Sequence, residues 1–275
     1  GEAFVDAERV ERYGATSPPD RVAVVGGGYV GVEMAEAFDA HDVEVHLFQR
    51  SERPLPPFGD AVGDRVADHL RERGVELHLD HEVERLAGTE RVERVVCAGG
   101  AEQAVDAAVV GIGVAPETDI VDDTPVELGD SGAIAVDDYG RTSVDGVYAA
   151  GDCAEDDHAV TGRPAWVPLG LTANRAGRAV GATVAGDPTP VGEVAGTAVV
   201  KAFELECGRT GFVGDAEARA AGFEPVTETI TAGSRSGYYP GAAETTVTLT
   251  ADRGTGRLLG GSIVGRDRAA VRIDT

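Results

Sequence analysis

Three glycines, Gly26, Gly28 and Gly31, stand in the pattern G-x-G-x-x-G. Such a triplet can bind a pyrophosphate with backbone alone. One glycine makes a tight turn, the next lets amide N–H groups approach the phosphates, and the third lets a helix touch a strand. The helix N-terminus adds positive potential. A ligand-free glycine turn would read the same, so context decides. Here an apolar run over 21–25 precedes the triplet, a helical stretch follows through Phe38, and a second strand is expected at 44–48, which is the context the motif requires. An acid after that second strand would grip a ribose 2′-hydroxyl. This chain has Phe48-Gln49-Arg50-Ser51-Glu52-Arg53 instead. Arg50 and Arg53 suit a 2′-phosphate, which predicts NADPH over NADH; the other reading is two solvated arginines.

A second segment, 142–152, ends a run of small apolar residues in Gly151-Asp152. A carboxylate exposed at a strand's carboxyl end accepts hydrogen bonds from a polyol. Cys97, Cys153 and Cys207 form no C-x-x-C pair and no metal-ligand spacing, and their number excludes a disulfide scaffold. Cys153, beside Asp152, reads as a small buried hydrophobe. His78 and His81 need not face one another, and His158 follows two aspartates in what reads as a solvated acidic loop. No metal site is expected.

The elements that must position these groups are legible in outline. A helix is expected at 5–13, another at 59–73 with Val62, Val66 and Leu70 on one face, and short strands near 75–79, 91–97 and 107–112. A strand at 146–150 leads into Gly151, and a helix at 172–185 carries the small residues of close packing. After the Asp187-Pro-Thr-Pro linker signal the style changes to strands at 197–205, 227–231, 245–250 and 258–264, with a short helix at 216–221 and a hairpin turn at 252–257. The expected class is α/β, with a Rossmann-like part followed by an α+β part.

Composition narrows the partners. A chain of 275 residues suggests roughly two domains. It carries 48 acids against 24 bases, a net charge of −24, and its only lysine is Lys201. A nucleic-acid footprint is excluded by this field, and a Walker phosphate loop by the absence of Gly-Lys-Ser/Thr. With 42% hydrophobic residues the chain can build a core, and no uncharged apolar run is long enough to span a membrane. The nearly lysine-free acid excess points to salt adaptation, the alternative being an ordinary acidic soluble protein. The chain begins at Gly1 and Met34 is its one methionine, so its natural start is expected upstream. A cytoplasmic location is expected.

Gly151-Asp152, with Asp152 lying 126 residues after Gly26, together with the glycine turn resembles the pyridine nucleotide–disulfide oxidoreductase flavoproteins. The run 106–116, with Gly113, looks like the strand that leaves that family's NAD(P) domain. The segment 160–169, with Trp166, Pro168 and Leu169, and the helix beginning near Thr172 look like its flavin-flanking segment. The stretches 199–205, 209–211, 238–241 (Tyr-Tyr-Pro-Gly) and 272–275 resemble its interface domain. The branch resembled most is that of coenzyme A-disulfide reductase and NADH oxidase.

The resemblance implies an NAD(P)-binding domain at 1–118, the returning part of an FAD-binding domain at 119–188, and an interface domain at 189–275, cut short, through which the complete protein forms a homodimer. It implies FAD as a cofactor beside the nicotinamide nucleotide, which the arginines predict to be NADPH, NADH being the alternative. Asp152 would contact the ribityl chain, and the helix near Thr172 would aim its N–H groups at the flavin. Tyr29 would gate the flavin, the alternative being ordinary packing, and Glu33 would sit beside the nicotinamide, although an acid there also gains simply from the helix dipole. Tyr238 or Tyr239 would reach the partner's active site and protonate a departing coenzyme A thiolate, or else pack as interface aromatics. The substrate would be coenzyme A disulfide or a related small disulfide or persulfide. Electron transfer to oxygen, or a non-catalytic NAD(P)-binding redox sensor, are the alternatives. The family's upstream FAD turn and redox cysteine are not in this sequence. The expectation is a fragment that holds FAD weakly and reduces no disulfide alone.

Overall fold

The structure, a computed structural model, describes residues 19–274; the helix expected at 5–13 lies outside them. The first strand, β1 (Arg21–Val25), is buried on both sides and enters α1 (Tyr29–Asp39) through the glycine turn. The chain continues through β2 (Glu44–Gln49), α2 (Asp60–Glu72) and β3 (Glu76–Leu79). An antiparallel excursion follows, β4 (Val83–Ala87), β5 (Arg94–Cys97) and β6 (Glu102–Ala104), and then β7 (Ala107–Val110). The parallel sheet has the order β3-β2-β1-β7, the doubly wound arrangement in which a strand buried on both faces reads as a continuous apolar run.

The pleat sends alternate residues of β1 to different layers. Val22 and Val24 join Leu47, Val62, Val66 and Leu70 under the helices, whereas Ala23 and Val25 join Phe48, Val95 and Cys97 under the β4–β6 sheet. Helix α2 buries the expected stripe, and Gly74, at φ +88°, ends it.

The middle of the chain has less regular structure. It holds the short pair β8 (Asp156–Asp157) and β9 (Pro164–Ala165), then α3 (Gly170–Val184). The strand expected at 146–150 does not form. Among the described residues Tyr148 makes a single bridge to Arg141, and Ala149 donates to the Gly140 carbonyl. The segment instead lays Tyr148 and Ala150 against Ala176, Ala179 and Val180 of α3.

The last part is one five-stranded antiparallel sheet, built from β10 (Ala198–Ala202), β11 (Leu205–Gly211), α4 (Asp215–Ala220), β12 (Pro225–Gly233), β13 (Glu244–Asp252) and β14 (Leu258–Gly265) in the order β10-β11-β14-β13-β12. Threonine hydroxyls pair across β12 and β13 at 227/250, 229/248 and 231/246, a favourable cross-strand pairing. The single strand expected at 197–205 is in fact two. They are joined by a tight turn in which Phe203 takes φ +53° and its N–H donates to the Glu36 carboxylate of α1. Glu36 also accepts from Lys201 Nζ at 2.6 Å. Val200, Ala202, Phe203, Leu205 and Val264 share one core with the helices of the parallel sheet, so the two sheets are packed as a unit.

Candidate functional site

The glycine turn has the shape its sequence predicts, and each glycine has its own reason. Gly26 sits at φ +105°, its N–H bonds the Phe48 carbonyl at 2.8 Å, and a side chain there would collide with the Gly111 carbonyl. A Cβ on Gly31 would collide with the Gly26 carbonyl, which is the close helix–strand contact. Around Gly28 there is open space: a Cβ added there would meet no atom within 4 Å. Gly28 is the N-cap of α1, no side chain caps that end, and no acid occupies the first turn. The free N–H groups therefore face an open, anion-favouring cradle.

The loop after β2 is tied to this turn by a residue whose part was not foreseen from sequence. Gln49, close to where a ribose-binding acid would stand, accepts from the Gly27 N–H through Oε1 at 2.9 Å and donates to Ser51 Oγ at 2.6 Å. Leu55 N–H closes the loop onto the Gly27 carbonyl. The two arginines then separate. Arg53 donates through Nε to Asp64 at 2.6 Å and lies within 3.7 Å of Glu52 and Asp60. Arg50 is exposed and pairs with no acid among the described residues.

Tyr29, the first residue of α1, packs edge-on against Phe58 with ring centroids 5.3 Å apart. Burial raises its phenol above the usual range, and the Arg209 guanidinium opposes this. Glu33 is exposed one turn further along α1. Gly113, at φ +124°, follows β7 and is exposed, and beside it Ile112 and Val114 are 75% and 72% exposed. With Val30 they form an apolar rim on the turn that single-residue motif reading did not pick out.

A second group gathers at the start of α3. Gly151, at φ +84°, brings its backbone against Ala173, and Trp166 Nε1 donates to the Asp152 carbonyl at 2.8 Å. This holds the exposed Asp152 next to the segment containing Pro168, Leu169 and Thr172. Helix α3 opens at Gly170 with no side-chain cap. Leu169 and Tyr29 both pack against the large shared core. Tyr238 and Tyr239 lie elsewhere, in the loop joining β12 and β13, 84% and 57% exposed with rings 5.2 Å apart.

The cysteines offer no reactive thiolate among the buried pair. Burial pushes the Cys207 thiol up to about 12 and raises that of Cys97. Cys153 is half-buried rather than buried, its Sγ 3.5 Å from the Ala150 carbonyl.

A glycine cradle at the carboxyl end of a parallel sheet defines the chain as a dinucleotide-binding α/β protein. Comparison makes that class specific. The pyridine nucleotide-disulphide oxidoreductase family profile matches residues 2–182, and the chain belongs to that family. It is 38% identical over 271 residues to the NAD(P)H coenzyme A polysulfide/persulfide reductase of Pyrococcus horikoshii, covering 98% of this chain and 60% of that protein. It is 31% identical over 273 residues to the NADH oxidase of Methanocaldococcus jannaschii, covering 98% of this chain and 59% of that one. The NAD-dependent persulfide reductase structure from A. fulgidus superposes with a TM-score of 0.93 at 32% identity, over 98% of this chain and 50% of that chain. The chain thus spans about 60% of the length of the curated relatives it matches. No helix among the described residues is long and apolar enough to cross a membrane.

Proposed function

We propose that this chain carries the NAD(P)H-binding portion of an FAD-dependent oxidoreductase that reduces coenzyme A disulfide or a related low-molecular-weight disulfide or persulfide. The observation that carries this reading is the open cradle at Gly28, walled by Gly26 and Gly31 and facing the uncapped start of α1. The names of the relatives supply the substrate class. Residues 1–118 would form the NAD(P) part, 119–188 the flavin-contacting part and 189–275 a dimer interface.

Bound nicotinamide and flavin would supply two-electron hydride chemistry; this chain's residues prepare it. The α1 N–H groups hold the nucleotide pyrophosphate. Arg50, with no acid paired to it among the described residues, would hold a 2′-phosphate, whereas Arg53 is already engaged by Asp64 and serves the loop. The rim of Val30, Ile112 and Val114 gives an apolar bed that excludes water. Asp152 accepts from a polyol hydroxyl, and the N–H groups at the start of α3, around Gly170 and Thr172, stabilise negative charge on a ring placed before them. Glu33, exposed on α1, would sit beside the nicotinamide. Tyr238 and Tyr239, exposed on their loop, would offer phenol protons to a second copy.

The test is a paired titration, following nicotinamide fluorescence, of the protein expressed with its complete reading frame. NADPH should bind more tightly than NADH. Arg50→Ser should weaken NADPH by about 10–100-fold, as expected for a lost charge-assisted contact, and leave NADH nearly unchanged. Arg53→Ser should affect both alike. Tighter NADH binding by the unsubstituted protein overturns the NADPH assignment. The same preparation, assayed with coenzyme A disulfide and with oxygen as sole acceptor, separates the reductase from an oxidase of the kind named among its relatives.

A further inference from the structure

The layer between the parallel sheet and the β4–β6 sheet holds an apolar cluster around Phe48, Val95 and Cys97. His46 points into it from β2, on the face away from the helices, and is 1% exposed. Parallel register sets His46 beside Glu76, and Phe48 beside His78, on neighbouring β3. The period-2 alternation of both strands keeps all four side chains on one face. The His78 ring stacks on Phe48 with centroids 4.3 Å apart, and the His81 ring meets its edge at 5.8 Å while His81 Nδ1 is bound to the Leu79 carbonyl. These contacts fix the orientation of His78.

Ligand-type atoms of three residues then converge. His46 Nδ1 lies 3.2 Å from His78 Nε2 and 3.4 Å from Glu76 Oε2, and His78 Nε2 lies 3.7 Å from Glu76 Oε1. A tetrahedral zinc ion with bonds of about 2.0–2.1 Å needs its ligand atoms about 3.3 Å apart; the two nitrogens are 3.2 Å apart and each has its own Glu76 oxygen at 3.4 or 3.7 Å, so a turn of that exposed carboxylate brings one oxygen toward that spacing from both. The outer contacts also suit a metal. His46 Nε2 is 2.9 Å from Glu44 Oε1. A carboxylate there holds the proton on Nε2 and leaves the Nδ1 lone pair facing the cluster, which is the carboxylate–histidine arrangement common behind zinc ligands. Glu76 is exposed and His78 half-buried, so an ion and a fourth, water ligand can enter from the rim.

We propose that His46, His78 and Glu76 form a binding site for a divalent zinc-type transition-metal ion, with Glu44 as the positioning residue for His46. The ion would pin β2 to β3. None of these residues belongs to the glycine turn or the arginine loop, so the site does not depend on the nucleotide-binding reading. Neither histidine motif in the sequence has metal-ligand spacing. Sheet register alone brings together residues some thirty positions apart, against the sequence expectation of no metal site.

The probe is the metal itself, applied in molar KCl so that the −24 surface does not collect cations indiscriminately. Equilibrium dialysis of the chain should retain one equivalent of Zn2+. Co2+ in its place should give the intense visible bands of a four-coordinate ion. His78→Gln and Glu76→Gln, both at partly exposed positions and checked by circular dichroism, should lose the bound equivalent. Glu44→Gln should weaken affinity about 10–100-fold. Substoichiometric zinc at micromolar free metal overturns the proposal, and so does a weak six-coordinate Co2+ spectrum, which needs no variant. Retention of the full equivalent by both His78→Gln and Glu76→Gln overturns it as well.

Discussion

At the scale of single residues, Gly28 and Gly31 carry the same letter for opposite reasons, and the difference can be measured. A methyl on Gly31 would overlap the Gly26 carbonyl, whereas one on Gly28 meets nothing, and Gly28 at φ −82° needs no special backbone. Gly31→Ala should therefore cost about 1–3 kcal/mol in urea unfolding, as overpacking does. Gly28→Ala should leave stability within about 0.5 kcal/mol and weaken NADPH binding by about tenfold or more, since the methyl fills the space the phosphates need. Equal loss of stability in the two variants would mean that Gly28 is structural too and that the cradle is not a ligand site. The triplet was legible in the sequence because its geometry is local. The fate of Arg53 was not, because Asp64 reaches it from the next helix. His46, Glu76 and His78 were invisible for the same reason at longer range, since only the pairing of β2 with β3 makes them neighbours.

At the scale of elements, those whose apolar residues lie on one continuous stretch were readable: β1 from its unbroken run, α2 from Val62, Val66 and Leu70, and the β13–β14 hairpin from Asp252 through Arg257. The turn between β10 and β11 was hidden, because it has no glycine or asparagine. Phe203 holds a left-handed conformation there while Glu36 of α1 binds its N–H, a contact the local sequence does not encode. The hairpin turn after β13 rests on one carboxylate. Asp252 accepts from Thr255 Oγ1 at 2.6 Å, from the Thr255 N–H at 3.0 Å and from the Glu224 N–H at 3.1 Å. The Thr255 hydroxyl above all, with those backbone donors, holds the Asp252 carboxyl below the usual carboxylate range. A carboxyl depressed on folding adds stability above its unfolded pKa, about 3.9, and that stability is lost as pH falls through the folded value. The melting temperature of the unsubstituted chain should therefore exceed that of Asp252→Asn near neutral pH, with the gap closing below about pH 4. A gap unchanged from about pH 6 to about pH 3, a range that brackets the unfolded value, would mean that the turn is held by something other than the charged form.

At the scale of the whole molecule, charge sets the terms. Acids outnumber bases by two to one, and several arginines are already engaged: Arg53 with Asp64, Arg219 with Asp215 and Arg94 with Glu102. Salt acts on pairs and excess alike. It weakens the exposed pairs, which contribute about 0–1 kcal/mol each, and it screens the repulsion of the unpaired excess, whose range falls from about 10 Å at 0.1 M to about 3 Å at 1 M. The exposed pairs are individually weak, while the excess amounts to 24 charges, so relief of repulsion should win. The melting temperature should rise between about 0.1 M and about 2 M KCl by on the order of 10 °C, corresponding to a few kcal/mol for a chain of this size. Potassium chloride is the salt to use, because sulfate raises stability through surface exclusion whatever the charge. Replacing several exposed acids by their amides should raise the low-salt melting temperature and flatten its dependence on KCl, because it removes the repulsion that salt would otherwise screen. A melting temperature that stays level or falls across that range would mean that the acid excess opposes folding too little to matter. The composition would then belong to an ordinary acidic protein, and salt adaptation would have to be abandoned.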